Sequence, residues 1–268
     1  MNNSFRLLAL LGLVALTPGV RAQDKLLEGY ERIELTVDGV AREALVHAPA
    51  SAKTQRTPVV FGFSGHGGTA AQAARQFALN REWPEAISVS MQALPTPGRF
   101  IDFEGKESGW QLRKGHQDDR DLKFFDALLA RLKADYQVDD KRVYAMGLSS
   151  GGYFTFLLWA ERGEVLAAVA PVAAEAADML PALKPKPMLL VAGEKDQRVK
   201  YDWMRKTMGA VRELNGCEAK GSSWGEHCTL FASTSGTPVV EFIHPGGHDY
   251  PKGTSAAIVR FFKEHPPE

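Results

Sequence analysis

The sequence predicts an α/β fold, with a mostly parallel central sheet, helices on both faces and an antiparallel hairpin at the N-terminal side. Three observations carry this. Short apolar runs alternate along the chain with longer segments of helical periodicity, the pattern of a parallel sheet covered on both sides. Two early runs instead alternate apolar with polar residues around Asp38-Gly39, a dipeptide that supplies the positive-φ positions of a tight hairpin turn. Finally, Gly147-Leu148-Ser149-Ser150-Gly151 sits where one apolar run gives way to a helical segment.

Each element has its own reason. Arg32 to Val37 and Val40 to His47 form the hairpin, and Pro49 to Pro58 is a polar, proline-bounded loop. Pro58 to Phe63 reads as a buried parallel strand running into Ser64-Gly65-His66-Gly67-Gly68. Thr69 to Leu79 follows as a helix with Thr69 as N-cap. Ala86 to Met91 is the next strand. Leu94 to Gly115, rich in Pro, Gly and isolated aromatics, is a long loop of the kind that carries function. Leu122, Phe125, Leu129, Leu132 and Tyr136 fall on one stripe of a helix over Asp121 to Tyr136. Further strands are predicted at Arg142–Met146, Val165–Val172, Pro187–Ala192 and Thr237–Ile243. Helices are predicted at Ser150–Arg162, Asp202–Leu214 and Thr254–Lys263.

The 268 residues suit one domain with a sizeable core, and 32 basic side chains balance 32 acidic ones. No basic surplus points to nucleic acid or to an anionic membrane surface. A short positive start, an apolar run over Leu7–Leu16 and the small-residue site Val20-Arg21-Ala22 read as a signal peptide. Cleavage after Ala22 is expected, leaving a catalytic domain over 23–268 that is secreted or periplasmic. Cys217 and Cys228 are the two cysteines, and an even count in an exported chain predicts a disulfide. No metal-ligand spacing is present, and no cofactor is implied.

The glycine-flanked serine between strand and helix is the context of a nucleophile elbow, which lifts Ser149 above the sheet. A serine needs an adjacent base. His248 lies in a glycine-rich loop after the last strand and is preferred to His244, which falls at the strand end. Asp196, just past the strand ending at Ala192, is preferred to Glu194 as the acid that orients the imidazole. The order Ser, Asp, His is that of α/β-hydrolases. Oxyanion donors are then expected from the main-chain N–H groups of Ser150 and His66. Trp110, Gln111, Tyr153 and Trp224 are candidates to line the substrate pocket.

The chain resembles secreted esterases grouped with feruloyl esterases, acetylxylan esterases and polyhydroxybutyrate depolymerases. The resemblance rests on Asp118 through Gly152, on Asn215-Gly216-Cys217 and Cys228, and on Gly246-Gly247-His248 followed by Pro251. It implies hydrolysis of carboxylic esters carried on plant cell-wall polymers or polyesters. Such esterases usually carry His-Gly-Cys-Gly-Gly in the oxyanion loop, where this chain has Ser64-Gly65-His66-Gly67-Gly68. Ser64 must therefore replace the bonds of the usual histidine. The alternatives are another hydrolase of the same fold, a lipase or peptidase, or a binding protein that has kept the fold. No oligomeric state follows from the sequence.

Overall fold

The computed structural model describes residues 27–266. The predicted signal peptide and its cleavage site lie outside the described residues.

The strands are β1 Glu31–Val37, β2 Val40–His47, β3 Thr57–Phe63, β4 Ile87–Met91, β5 Leu94–Pro95 and β6 Ser108–Gly109. They continue as β7 Val138–Leu148, β8 Ala168–Val172, β9 Met188–Gly193, β10 Ser222–Gly225, β11 Cys228–Phe231 and β12 Val239–His244. The helices are α1 Ala70–Phe77, α2 Leu79–Glu82, α3 Arg120–Asp135, α4 Ser150–Arg162, α5 Tyr201–Leu214 and α6 Thr254–Glu264. Ten strands form one sheet in the order β1-β2-β4-β3-β7-β8-β9-β12-β11-β10. The neighbours β4-β3-β7-β8-β9-β12 pair in parallel, and an antiparallel hairpin closes each edge. This is the α/β-hydrolase fold.

Strand pleating sends successive side chains to opposite faces, and the core divides accordingly. Phe61, Ala145 and Leu190 face α3, α4 and α5. Val60, Tyr144, Met146 and Leu189 face α1, α2 and α6. α1 begins as expected: the Thr69 hydroxyl accepts the Gln72 N–H, and the Gln72 side chain accepts the Thr69 N–H. The helix stops short of its predicted end because Ala78 turns left-handed at φ 46°.

Two expectations require correction. The β10–β11 hairpin had no counterpart in the sequence reading, because its strands are four residues each and β10 is exposed apart from Trp224. The Cys217–Cys228 disulfide is absent, and both are free thiols. Cys217, just after α5, packs against the core on that helix's side of the sheet, whereas Cys228 at the start of β11 belongs to the core on the other side. The sheet therefore stands between them, although a disulfide requires Cβ atoms within about 4.5 Å. Burial raises both thiol pKa values, that of Cys228 to about 11.

Candidate active site

The parallel strands β3, β7, β9 and β12 end on one edge of the sheet, and each delivers part of one constellation. β7 leads into Ser149, which adopts φ 53° and ψ −114° before α4 begins. Such a conformation costs about 1–3 kcal/mol for a residue with a side chain and persists only where the surroundings enforce it. Here the Ser149 N–H donates to Val172 O at 2.8 Å, and its carbonyl accepts the Tyr153 N–H at 2.9 Å. α4 can approach this closely because Gly151 lies against the end of β3, where a Cβ would collide with the Phe63 carbonyl oxygen.

The Ser149 hydroxyl lies 2.8 Å from His248 Nε2, and His248 Nδ1 lies 2.7 Å from Asp196 Oδ2. The carboxylate at Nδ1 fixes the tautomer: Nδ1–H donates to Asp196, and Nε2 accepts the hydrogen bond of the Ser149 hydroxyl. Asp196 is held in turn, since its Oδ1 accepts the Arg198 and Val199 N–H groups at 2.8 and 2.9 Å. Its side chain is wholly buried, while that of His248 keeps 15% of its surface exposed. Glu194 is exposed on the same turn. His244 is buried and accepts the Gly246 N–H at 3.2 Å through Nδ1, so it braces the His248 loop from beneath. Burial keeps its pKa below the ordinary histidine value.

A cavity of 170 Å³ opens at Ser149. His66, Ser150, Tyr153 and His248 line it, so four of the residues singled out from sequence meet around the serine. The Ser64–Gly68 loop folds on itself: the Gly68 N–H donates to Gly65 O, and the Ser64 hydroxyl donates to Gly68 O at 3.3 Å. The Gly67 N–H is occupied by Ser108 O at 2.7 Å. The His66 N–H has no acceptor among the described residues.

Three predicted pocket residues lie elsewhere. Trp110 is buried behind the Ser64–Gly68 loop, stacked on Phe154 at 4.9 Å and donating from Nε1 to Ser64 O at 2.9 Å. Gln111 is fully buried: its Oε1 accepts the Asp121 and Leu122 N–H groups at the start of α3, and its Nε2 donates to Asp119 Oδ1. Trp224 sits on the far edge of the sheet, bonded to Glu264 and covered by the Arg260 guanidinium at 4.0 Å. In each case the side chain satisfies its polar atoms within the fold. The walls that sequence reasoning did not name are Arg99, Phe100, Ile101, Leu112, Leu148, Arg198 and Val199. The only sequence signal for the first four was their place in the aperiodic Leu94–Gly115 loop.

Among the described residues, no cluster of His, Cys, Asp or Glu is arranged to hold a metal ion. Nor is any helix among them long and apolar enough to cross a membrane.

The chain is similar to curated esterases. The protein named "Putative esterase NocK" of Nocardia uniformis subsp. tsuyamanensis is 26% identical over 264 residues, covering 82% of this chain and 74% of that one. Feruloyl esterase B of Piromyces equi is 27% identical over 198 residues, covering 62% of this chain but only 37% of that protein. Among solved structures, the acetyl xylan esterase from Aspergillus awamori superposes with a TM-score of 0.66 at 12% identity, covering 87% of this chain and 99% of that one. That last likeness is one of fold. No family model matches the chain.

Proposed function

We propose that the chain is a serine carboxylic-ester hydrolase working through an acyl-enzyme, with Ser149 as nucleophile, His248 as base and Asp196 as orienting acid. The observation that carries this reading is the unbroken relay from Ser149 Oγ through His248 to Asp196. Ser149 Oγ attacks the ester carbonyl as His248 Nε2 takes its proton, and Asp196 stabilises the resulting imidazolium. The carbonyl oxygen gains negative charge and is met by the main-chain N–H groups of His66 and Ser150. Collapse expels the alcohol, which receives its proton from His248. Water then enters and gives a proton to the same nitrogen as its oxygen adds to the acyl carbon; collapse breaks the bond to Ser149 Oγ, which takes that proton back as the acid leaves.

The cavity is below the usual ~300–1,000 Å³ of ligand pockets, so it takes one end of an ester and leaves the rest at the mouth. Phe100 and Tyr153, with ring centres 6.3 Å apart and planes tilted by 59°, offer an apolar wall. This suits a feruloyl or acetyl group on plant polysaccharide, or the end of a hydroxyalkanoate polyester or oligomer. The same reading takes residues 1–22 as an export signal, so the exported protein is expected to begin at Gln23. The test is turnover of acetyl, feruloyl and hydroxybutyryl esters by the wild-type protein and by Ser149→Ala. The expected loss in the variant is about 10⁶-fold in kcat, as for a comparable serine nucleophile. Equal turnover by the two proteins would overturn the reading.

A further inference from the structure

The oxyanion loop carries glycine at positions 65, 67 and 68, so little in its own backbone holds the one donor it contributes. The His66 side chain is tied down instead. Its Nε2–H donates to Asp102 Oδ2 at 3.0 Å, and the two side chains keep only 9% and 14% of their surface exposed. The ring fills a slot above Gly109, where a Cβ would stand 2.7 Å from Nδ1.

Asp102 pins the cavity wall. Its backbone is left-handed at φ 51°, and its carbonyl accepts the Gly98 and Gly105 N–H groups at 3.1 and 3.0 Å. Its carboxylate accepts the Lys106 and Glu107 N–H groups at 3.0 and 2.8 Å. Those two N–H groups, more than the imidazole, hold the carboxyl below its ordinary pKa and keep it charged. The segment so pinned includes Gly98, Arg99, Phe100 and Ile101, all cavity-lining. Ser108, just beyond it, holds the oxyanion loop a second time, since its hydroxyl donates to Gly68 O at 2.7 Å.

We propose that His66 and Asp102 are a pair of positioning residues that lock the oxyanion donor to the cavity wall, so that the His66 side chain sets where its own main-chain N–H points. This rests on the ester-hydrolase reading. A donor must stand about 2.7–3.1 Å from the developing oxyanion, and losing one costs about 10²–10³ in rate. Releasing the side chain leaves the N–H in place but frees it to wander, so a smaller loss in kcat is expected. In His66→Ala the ester's ground-state fit against Phe100 and Tyr153 changes little, because Asp102 still holds that wall.

The experiment compares wild type, Ser149→Ala, His66→Ala, Asp102→Ala, the His66→Ala/Asp102→Ala double variant and His66→Gln on 4-nitrophenyl acetate. A trifluoromethyl ketone is titrated in parallel, because its adduct with the serine carries the oxyanion. Each single alanine variant should lose about 10- to 100-fold in kcat, part of the value of a full donor. KM of His66→Ala should stay within about threefold, the split expected of an interaction made in the transition state, whereas Asp102→Ala also loosens the wall at Phe100 and should raise KM further. The double variant should be no worse than about threefold below the weaker single one, since the two act as a unit. The ketone's inhibition constant should rise in step with the loss of kcat. His66→Gln, whose amide can still donate to Asp102, should recover most of the activity.

Unchanged kcat in His66→Ala and Asp102→Ala, with turnover still dependent on Ser149, overturns this inference alone. So do losses that simply add in the double variant, or lowered kcat with an unmoved inhibition constant. Turnover that does not depend on Ser149 overturns both this inference and the reading beneath it.

Discussion

At the elbow, Ser149 is held at φ 53° by two main-chain bonds and by the contact of Gly151 with the end of β3. In the loop from Leu94 to Gly115, Asp102 is held at φ 51° by its own carboxylate, and Gln111 and Asp121 lash the loop's end to α3. Both regions put irregular backbone at the same cavity. The elbow does so by excluding atoms, which requires glycine at a fixed spacing. The loop does so with side-chain polar bonds, such as the His66–Asp102 pair at 3.0 Å and the Gln111 N–H donated to Asp121 Oδ2 at 2.8 Å. Steric restraint of this kind leaves a mark in local sequence, and a polar lattice does not.

The same contrast accounts for how much was legible. The Ser149 elbow, the hairpin at Asp38-Gly39 and the strand–helix alternation are local patterns, and the structure contains all of them. Asp196 and His248 were singled out by their positions after strands, and the topology brings those strand ends together. Trp110, Gln111 and Trp224 were misplaced because an aromatic or amide side chain looks alike in sequence whether it faces substrate or the core. Phe100, Ile101 and Asp102 were missed because only the folded loop turns them to the cavity and to His66. The disulfide expectation failed for a related reason: spacing in sequence says nothing about which face of a sheet each thiol occupies.

The largest effect expected among variants that keep the nucleophile is at the acid. Asp196→Asn should leave the fold intact and lose on the order of 10⁴ in kcat, as tautomer control fails in a comparable triad. Glu194→Gln, on the exposed part of the same turn, should stay near wild type, and steady-state kinetics on both variants would expose an inverted order. A large effect is also expected at the elbow. Gly151→Ala forces α4 off the end of β3, and a displacement of about 1 Å at a reacting atom costs about 10² in kcat. Wild-type kcat in that variant would show that steric exclusion does not hold the elbow.

In the loop the currency changes from rate to stability. Gln111→Leu strands the Asp121 and Leu122 N–H groups, at a cost of about 1–3 kcal/mol each if nothing replaces the bond. Urea denaturation should read that loss, with kcat altered much less than in Gly151→Ala. A variant with unchanged stability would contradict the polar-lattice account. The smallest effect is expected at the cysteines. Reductant should leave the unfolding midpoint unmoved, and denatured, unreduced protein should titrate two free thiols. A bridged pair in that material would restore the disulfide.

The account stands most directly on Ser149 being the activated nucleophile. Intact mass after incubation with a fluorophosphonate, followed by peptide mapping, tests this without any assumption about the physiological ester. One adduct per chain on Ser149, lost in Ser149→Ala together with esterase turnover, is the predicted result. No adduct, or one that persists at another residue in Ser149→Ala with turnover intact, would contradict it.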